Sequence, residues 1–138
     1  MLAQAQLIGK VIRVSDGDTI VLLDKKNSQH RIRLHGIDCP ERHQDYYQAA
    51  KNHTSNLCFG KLVRVDVLDT DRYGRIVGRV WSNEIDVNLS LLENGLAWHY
   101  TYFDKTILYA KAHEKAKRKQ INIWSKPNPI APWDFRRK

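Results

Sequence analysis

Alternation of apolar and polar residues predicts five β-strands along the 138-residue chain. In residues 61–68, Val63 and Val65 alternate with Arg64 and Asp66, so one face of the segment is apolar and the other is polar. Short sequences rich in glycine and aspartate, which favour turns, lie at the ends of such runs. The same reasoning predicts the remaining strands at residues 7–14, 19–24, 30–37 and 75–81.

Helical periodicity replaces this alternation in three other segments. Residues 43–58 contain no glycine or proline, and side chains that suit one helix face recur at intervals of four, three and four residues. Asp86 and Gly95 predict the N-cap and the end of a second, short helix. Asp104 predicts the cap of a third, longer helix that runs to about Gln120.

The order of these elements predicts the fold class. Three strands, a helix, two strands and two helices form an α+β pattern, and short strands with an inserted helix fit the partly open OB barrel. We therefore predict a five-stranded OB-fold β-barrel with about three α-helices, in a single domain of residues 1–138. Residues 1–6 are predicted to be a flexible N-terminus, and the proline-rich residues 126–138 an extended basic C-terminal tail.

Charge is concentrated in the last part of the chain. The formal net charge is +8, and residues 111–138 contain nine Lys or Arg but only two Asp or Glu. This asymmetry is typical of attraction to a polyanion such as nucleic acid. It is equally consistent with a solvated basic helix face, and the apolar stripe of the third helix would suit docking to an acidic membrane or packing on its own domain.

Cysteine content leaves the redox state open. Cys39 and Cys58 lack the C-x-x-C spacing of a zinc or redox site, so they could form one disulfide or remain two free thiols. No apolar run approaches the roughly 20 residues that a membrane-spanning helix needs, so no membrane partner is expected.

The sequence RIRLHGIDCPER, residues 31–42, sets charged groups around the end of one short strand. Strict alternation would point Arg33 and Asp38 to opposite faces, and we expect a bulge or kink at Gly36 to bring them into one cleft. Asp18 lies in the turn between the first two strands, and two strands of one meander can bring their ends together. Two converging carboxylates would repel each other without a cation, and hard oxygen ligands suit calcium or magnesium.

The motifs VSDGDT, RLHGIDCPE and DRYGR, in that order, resemble the staphylococcal nuclease (thermonuclease) family, and GLAWHY and INIW extend the likeness over about residues 8–125. The resemblance implies a calcium-dependent phosphodiesterase that hydrolyses DNA and RNA with little sequence preference and leaves 3′-phosphate ends. It implies single-stranded DNA and RNA as substrates, and we expect a monomer. The family is frequently exported, and Ala3-Gln4-Ala5 has the small-x-small form of a signal-peptidase site, so we expect a secreted or periplasmic protein.

The resemblance also assigns roles by position. Asp18 and Asp38 would be metal ligands, together with the backbone carbonyl of Cys39, where the family often has threonine. The catalytic residues would be Arg33, Glu41 and Arg75. The expected substrate contacts are Tyr73, Tyr100 and Tyr102, of which the last two align only with a one-residue gap.

The alternative function is a non-catalytic OB-fold module that only binds nucleic acid. The basic tail would suit such a module. However, a pure binder has no physical need for three carboxylates that face a polyanion, and the sequence contains Asp18, Asp38 and Glu41 together with both arginines. The sequence therefore favours the enzyme.

Overall fold

Five long strands close into a barrel in the computed structural model, which describes residues 5–137. Neighbouring strands pair antiparallel in the order β3-β2-β1-β5-β6, and a parallel pairing of β3 with β6 closes the barrel. The α+β, five-stranded OB-fold prediction is confirmed. The strands are β1 (Gln6–Asp16), β2 (Thr19–Leu23), β3 (Gln29–Leu34), β4 (Ile37–Asp38), β5 (Leu62–Thr70), β6 (Ile76–Ser82), β7 (Ile85–Asp86) and β8 (Trp98–His99).

Within residues 5–137, four α-helices accompany the barrel, against about three predicted. They are α1 (Tyr47–Cys58), α2 (Val87–Glu93), α3 (Ile107–Arg118) and α4 (Pro132–Phe135), and a 3₁₀ turn covers Asn122–Ser125. The additional helix is a single turn, with Pro132 at its first position, where the fixed φ of proline suits a helix start. It replaces the extended conformation expected for this part of the tail. Of the N-terminal segment predicted to be flexible, residues 1–4 lie outside the described residues, and β1 already begins at Gln6.

Two helices begin later than the sequence predicts. Helix α1 starts at Tyr47 rather than near His43, because His43 and Tyr46 have φ values of +77° and +69°, which are incompatible with a right-handed helix. Helix α3 starts at Ile107, and Asp104 does not cap it. The helix α2 prediction is confirmed: Asp86 caps it by accepting a hydrogen bond from the Leu89 amide at 3.0 Å.

Apolar side chains from all five long strands fill the barrel. Fully buried examples are Val11, Ile20, Leu22, Ile32, Val65 and Val80, each of which follows the alternation of its strand. Helix α2 packs against α3 at one end of this core, where the Tyr109 side chain is fully buried. Cys39 and Cys58 are buried free thiols, which resolves the question left open by their spacing. None of the helices within residues 5–137 has the length and apolar character needed to cross a membrane.

Asp104 links the ends of β3 and β8 instead of capping α3. Its Oδ1 lies 2.9 Å from His35 Nε2 and its Oδ2 lies 2.7 Å from His99 Nε2. It also accepts hydrogen bonds from the backbone and hydroxyl of Thr106. The sequence-based assignment failed here because an aspartate before a helix can bond distant side chains as readily as the local backbone.

Acidification is expected to destabilise the fold through His113. Its ring lies among Trp98, Trp124 and His99, with Nδ1 3.2 Å from the His99 amide. Burial, with a smaller effect of Lys117, lowers the pKa of His113 to about 4. The unfolded chain therefore binds more protons between pH 6.5 and 4, and the free energy of unfolding should fall by on the order of 2–3 kcal/mol over that window. Urea denaturation at several pH values measures this.

The matched variants for this test are His113→Gln and, at an exposed site, His43→Gln. Glutamine does not titrate, so His113→Gln should flatten the pH dependence of stability between pH 6.5 and 4, while His43→Gln should leave it unchanged. Burial also lowers the pKa of His53, so some slope should persist. An unaltered slope in His113→Gln would remove His113 as its source.

Candidate active site

Three chain segments bring charged groups together at one end of the barrel. They are the turn between β1 and β2, the kink between β3 and β4, and the loop that follows β4. The Leu34 amide donates to the Asp18 carbonyl at 2.9 Å, and the Cys39 amide donates to Asp18 Oδ2 at 2.8 Å. These bonds fasten the β1–β2 turn to both sides of the kink.

The kink at Gly36 is confirmed. Strand β3 ends at Leu34, Gly36 has φ of +78°, and β4 leaves the barrel to pair with β8. A Cβ atom on Gly36 would lie about 3.0 Å from Tyr109 and 3.1 Å from Asp104, so both the backbone conformation and the space favour glycine. The kink places Arg33 Nη2 3.3 Å from Asp38 Oδ1, as the sequence predicts.

Gly17 allows helix α1 to approach the turn that carries Asp18. A Cβ atom at this position would lie 2.9 Å from the Ala50 Cβ and 3.0 Å from the Cys39 sulfur. Thr54 donates its hydroxyl hydrogen to the Gly17 carbonyl, and this bond holds the helix against the turn. The neighbouring Asp16 accepts a hydrogen bond from the Tyr47 hydroxyl at 2.8 Å, which is a separate interaction from the Asp18 cluster.

Arg33 bridges the two buried carboxylates. Its Nη1 lies 3.5 Å from Asp18 Oδ2, and its Nη2 contacts Asp38. Burial by itself would lower the pKa of Arg33, but the charges of Asp18 and Asp38 outweigh burial and raise it. Burial is also the main reason that the pKa of Asp38, which is 1% exposed, is raised, and the nearby Asp18 charge acts in the same direction. The burial and mutual repulsion of the Asp18 and Asp38 carboxylates therefore favour positively charged partners beside them.

The donor chemistry of this pair fits a hard divalent cation. Asp18 and Asp38 supply carboxylate oxygens, which calcium prefers, and calcium takes about 6 to 8 oxygen ligands in proteins. No cluster of three or more His, Cys, Asp or Glu side chains suited to a metal is found in residues 5–137. Most ligands would therefore come from backbone carbonyls, such as that of Cys39, from water and from the substrate.

The Cys39 thiol belongs to the core and not to the charged cluster. It packs with Gly17 and Ala50, and burial raises the pKa of the thiol well above its usual range. A neutral, inward-facing thiol is a poor ligand for a hard cation. The Cys39 side chain therefore does not conflict with the expected role of the Cys39 backbone carbonyl as a metal ligand.

Glu41 joins the cluster through a residue that the sequence-based prediction missed. The Arg136 guanidinium donates to Asp38 Oδ2 at 2.8 Å, to Asp38 Oδ1 at 3.1 Å and to Glu41 Oε1 at 2.5 Å. The bonds to Asp38 and Glu41 raise the pKa of Arg136. The Glu41 amide donates to the Gln44 side chain at 2.8 Å, which fixes the loop after β4.

Arg75 is not part of this cluster. It precedes β6 beside β3, and its Nε donates to Asp71 Oδ2 at 2.8 Å. Tyr73 is 58% exposed and its ring lies 5.6 Å from the Arg75 guanidinium carbon. The structure therefore brings together Asp18, Arg33, Asp38 and Glu41 of the predicted residues, and it pairs Arg75 and Tyr73 in the adjacent loop.

The two remaining predicted tyrosines contact the C-terminal helix. The Tyr100 ring stacks on Trp133 with centroids 5.2 Å apart and planes at 4°. The Tyr102 ring meets the edge of Trp133 at 5.8 Å and is 73% exposed. Tyr100 Oη also lies 3.5 Å from Arg136, so these rings adjoin the charged cluster.

Trp133 and Arg136 lie in the tail that the sequence-based prediction treated as extended. The available signal was PWDFRR, in which a proline that favours a helix start precedes a tryptophan and an arginine three positions apart. That spacing places both side chains on one helix face. A helix of one turn gives too little periodicity to detect by apolar pattern.

The fold and the cluster define a small OB-fold protein with an acid–arginine centre at one end of its barrel. A protein-family profile described as "Staphylococcal nuclease homologue" matches residues 31–126, more than half of the chain. The chain belongs to the staphylococcal nuclease family.

Individual relatives agree with this membership. "Protein ParB" of Escherichia coli is 37% identical over 147 residues, covering 98% of this chain and 82% of the relative. An "uncharacterized endonuclease" of Haemophilus influenzae is 37% identical over 128 residues, covering 93% and 72%. The "staphylococcal-like nuclease CAN1" of Arabidopsis thaliana is 40% identical over 107 residues, covering 78% and 33%, so the chain matches only about one third of that plant protein.

Proposed function

We propose that the protein is a calcium-dependent phosphodiesterase that hydrolyses DNA and RNA with little sequence preference. The observation that carries the proposal is the meeting of Asp18, Arg33, Asp38 and Glu41 at one end of the barrel. Membership of a nuclease family, and the names of relatives called endonuclease or nuclease, support it.

Asp18 and Asp38 would hold the calcium ion, with the Cys39 carbonyl as a further ligand. Bound calcium would offset the negative charge of a phosphodiester and polarise a phosphoryl oxygen. The buried acid pair supports this role, because its two negative charges favour two positive partners, and calcium would take the place of Arg136 beside Arg33. Arg33 would donate its planar N–H groups to phosphoryl oxygens as negative charge develops on them.

Glu41 is the proposed general base. It is the most accessible acid of the cluster, with a side chain 34% exposed against 1% for Asp38. An exposed carboxylate beside a phosphate position can accept the proton of an attacking water. Arg75 would provide a second guanidinium to the phosphate after exchanging its partner Asp71, since an arginine fork binds carboxylate and phosphate oxygens in the same way.

The substrate is proposed to be unpaired DNA or RNA. An OB barrel groove tracks a single strand, and exposed aromatic rings stack on any base with little sequence preference. Tyr73 in the adjacent loop and Tyr102 supply exposed rings, and Tyr100 would supply a third where Trp133 does not cover it. We propose that the bond to the 5′ oxygen breaks, so that each product strand ends in a 3′ phosphate.

Calcium removal is the direct test of this function. The full chain incubated with single-stranded DNA and calcium should produce short fragments, and excess chelator should abolish cleavage because phosphate charge is then no longer offset. Product ends should resist extension by a polymerase until a phosphatase removes the 3′ phosphate. Gel analysis with labelled DNA, and then labelled RNA, measures each step.

The outcomes of this test separate the candidate functions. Cleavage that survives the chelator would contradict the metal requirement, and ends that extend without phosphatase would contradict 3′-phosphate formation. DNA that is retained but intact in calcium would favour the non-catalytic binding module.

A further inference from the structure

Helix α4 covers both parts of the proposed site with one face. Trp133 and Arg136, the C-cap residue of α4, are three residues apart and both helical in conformation, so their side chains project from the same side of this single turn. Trp133 lies on Tyr100, and Arg136 lies on Asp38 and Glu41. One short segment therefore contacts the aromatic surface and the acidic cluster simultaneously.

Arg136 occupies the face of Asp38 that a cation would use. Both oxygens of Asp38 accept from its guanidinium, and Oδ1 also accepts from Arg33. A calcium ion would have to lie about 2.3–2.6 Å from a carboxylate oxygen. Two positive groups on the same oxygens would repel each other strongly at this distance. Arg136 and a divalent cation are therefore competitors for Asp38.

Trp133 occupies the face of Tyr100 that a nucleobase would use. Its ring is parallel to Tyr100 within 4°, the geometry of a stacked pair, and the edge of Tyr102 closes one side. A base can stack on a tyrosine ring only where that ring is uncovered. The indole thus takes the place of a base while the guanidinium takes the place of the ion.

The connection that precedes α4 is exposed and loosely packed. Residues 126–128 are exposed, and a cavity of about 490 Å³ lies between residues 126–130 and the loop that contains Gln44 and Tyr46. Gln44 Nε2 donates to the Ile130 carbonyl at 2.7 Å, which anchors the start of the segment. The packing beneath residues 126–130 is therefore incomplete, whereas Ala131 and Pro132 are buried and Trp133 packs on Trp98, so displacement of α4 separates these apolar contacts.

We propose that α4 is an autoinhibitory lid, in which Trp133 and Arg136 close the site by taking the positions of a nucleobase and of the cation. The lid must swing away about its connection before nucleic acid and calcium enter together. The identity of the excluded ligands rests on the proposed function, whereas the closed position of the lid rests on the observed contacts of α4. The apparent affinity for each ligand is reduced by the fraction of molecules that are closed.

Calcium affinity tests the cation half of the lid. Isothermal titration with calcium chloride, without nucleic acid, should give a lower dissociation constant for Arg136→Ala than for the unmodified chain, by about 10-fold for an open fraction of about 10%. Arg137→Ala is the matched control, because Arg137 is exposed and the same unit of charge is lost from the tail. Its calcium affinity should be unchanged.

Binding of DNA tests the aromatic half. A labelled single-stranded oligodeoxythymidylate in excess chelator should bind Trp133→Ala several-fold more tightly than the unmodified chain, as measured by fluorescence anisotropy. A second readout follows the lid itself: the indole N–H resonance of Trp133, assigned by its loss in Trp133→Phe, should shift on addition of calcium chloride. Thermal denaturation confirms that each variant is folded.

The two proposals fail in different ways. If the unmodified chain cleaves DNA in calcium but Arg136→Ala has the calcium affinity of Arg137→Ala or a weaker one, the lid is wrong and the nuclease stands. If neither chain cleaves DNA or binds calcium, the nuclease is wrong, and the oligonucleotide titration decides the lid. Unchanged oligonucleotide affinity in Trp133→Ala, with no movement of the Trp133 indole resonance in the unmodified chain, would overturn the lid in either case.

Discussion

Glu41→Gln is expected to lower the turnover of single-stranded DNA by about 10²- to 10⁴-fold, the usual contribution of a general base. Glutamine keeps the size of the side chain and can still accept a hydrogen bond from Arg136, so the loop after β4 should keep its conformation. The amide cannot take a proton from water. Initial rates at saturating calcium, with labelled substrate, measure the effect.

The control for Glu41→Gln must separate base removal from release of the lid. Glu93→Gln alters an exposed acid on α2 away from the cluster and should leave turnover unchanged. Glu41→Gln is also made in an Arg136→Ala background, in which neither chain of the comparison has the contact between residue 41 and the lid. The same loss of turnover should appear in that background. Turnover within a few-fold of the unmodified chain in both backgrounds would exclude Glu41 as the base.

The barrel could be predicted from the sequence because its strands are specified locally. Alternation in residues 61–68 fixes which side chains of β5 face the core, and the observed burial of Val63 and Val65 follows it. Helix starts were predicted less well, because they depend on single backbone conformations such as the positive φ of Tyr46. The pairing of the two-residue strands β4 and β8 also depends on tertiary contacts and leaves no periodic signal.

Part of the candidate site could likewise be predicted from the sequence, and part could not. The kink at Gly36 was predicted because a glycine interrupts an alternating strand, and it brings Arg33 to Asp38. Arg136 was not predicted, since it contacts Asp38 across 98 residues of sequence and lies in a segment without detectable periodicity. The orientation of the Arg75 side chain was not predicted either. The sequence does not show whether Arg75 pairs with Asp71, four residues earlier, or with the charged cluster.

Asp38→Asn is expected to reduce both calcium affinity and the rate. Asparagine has nearly the same shape but lacks the negative charge, and its amide N–H groups would face the guanidinium N–H groups of Arg33 or Arg136. Losing one charged ligand should weaken calcium binding by at least about 10-fold when the comparison is made in an Arg136→Ala background, where the lid is open in both chains. Loss of charge stabilisation should lower the rate at saturating calcium by about 10²- to 10³-fold. Calorimetry with calcium chloride and initial rates measure the two effects separately.

Asp16→Asn provides the matched control, because Asp16 ends β1 two residues before Asp18 but bonds Tyr47, and asparagine can still accept that hydrogen bond. Its calcium affinity and rate should be unchanged. Asp38→Asn also removes the main ionic partner of Arg136, so it opens the lid as Arg136→Ala does. Calcium affinity is therefore compared in an Arg136→Ala background, in which the lid is open in both chains and Asp38→Asn still removes a ligand of the ion. Equal calcium affinity with and without Asp38→Asn in that background would show that Asp38 does not hold the ion.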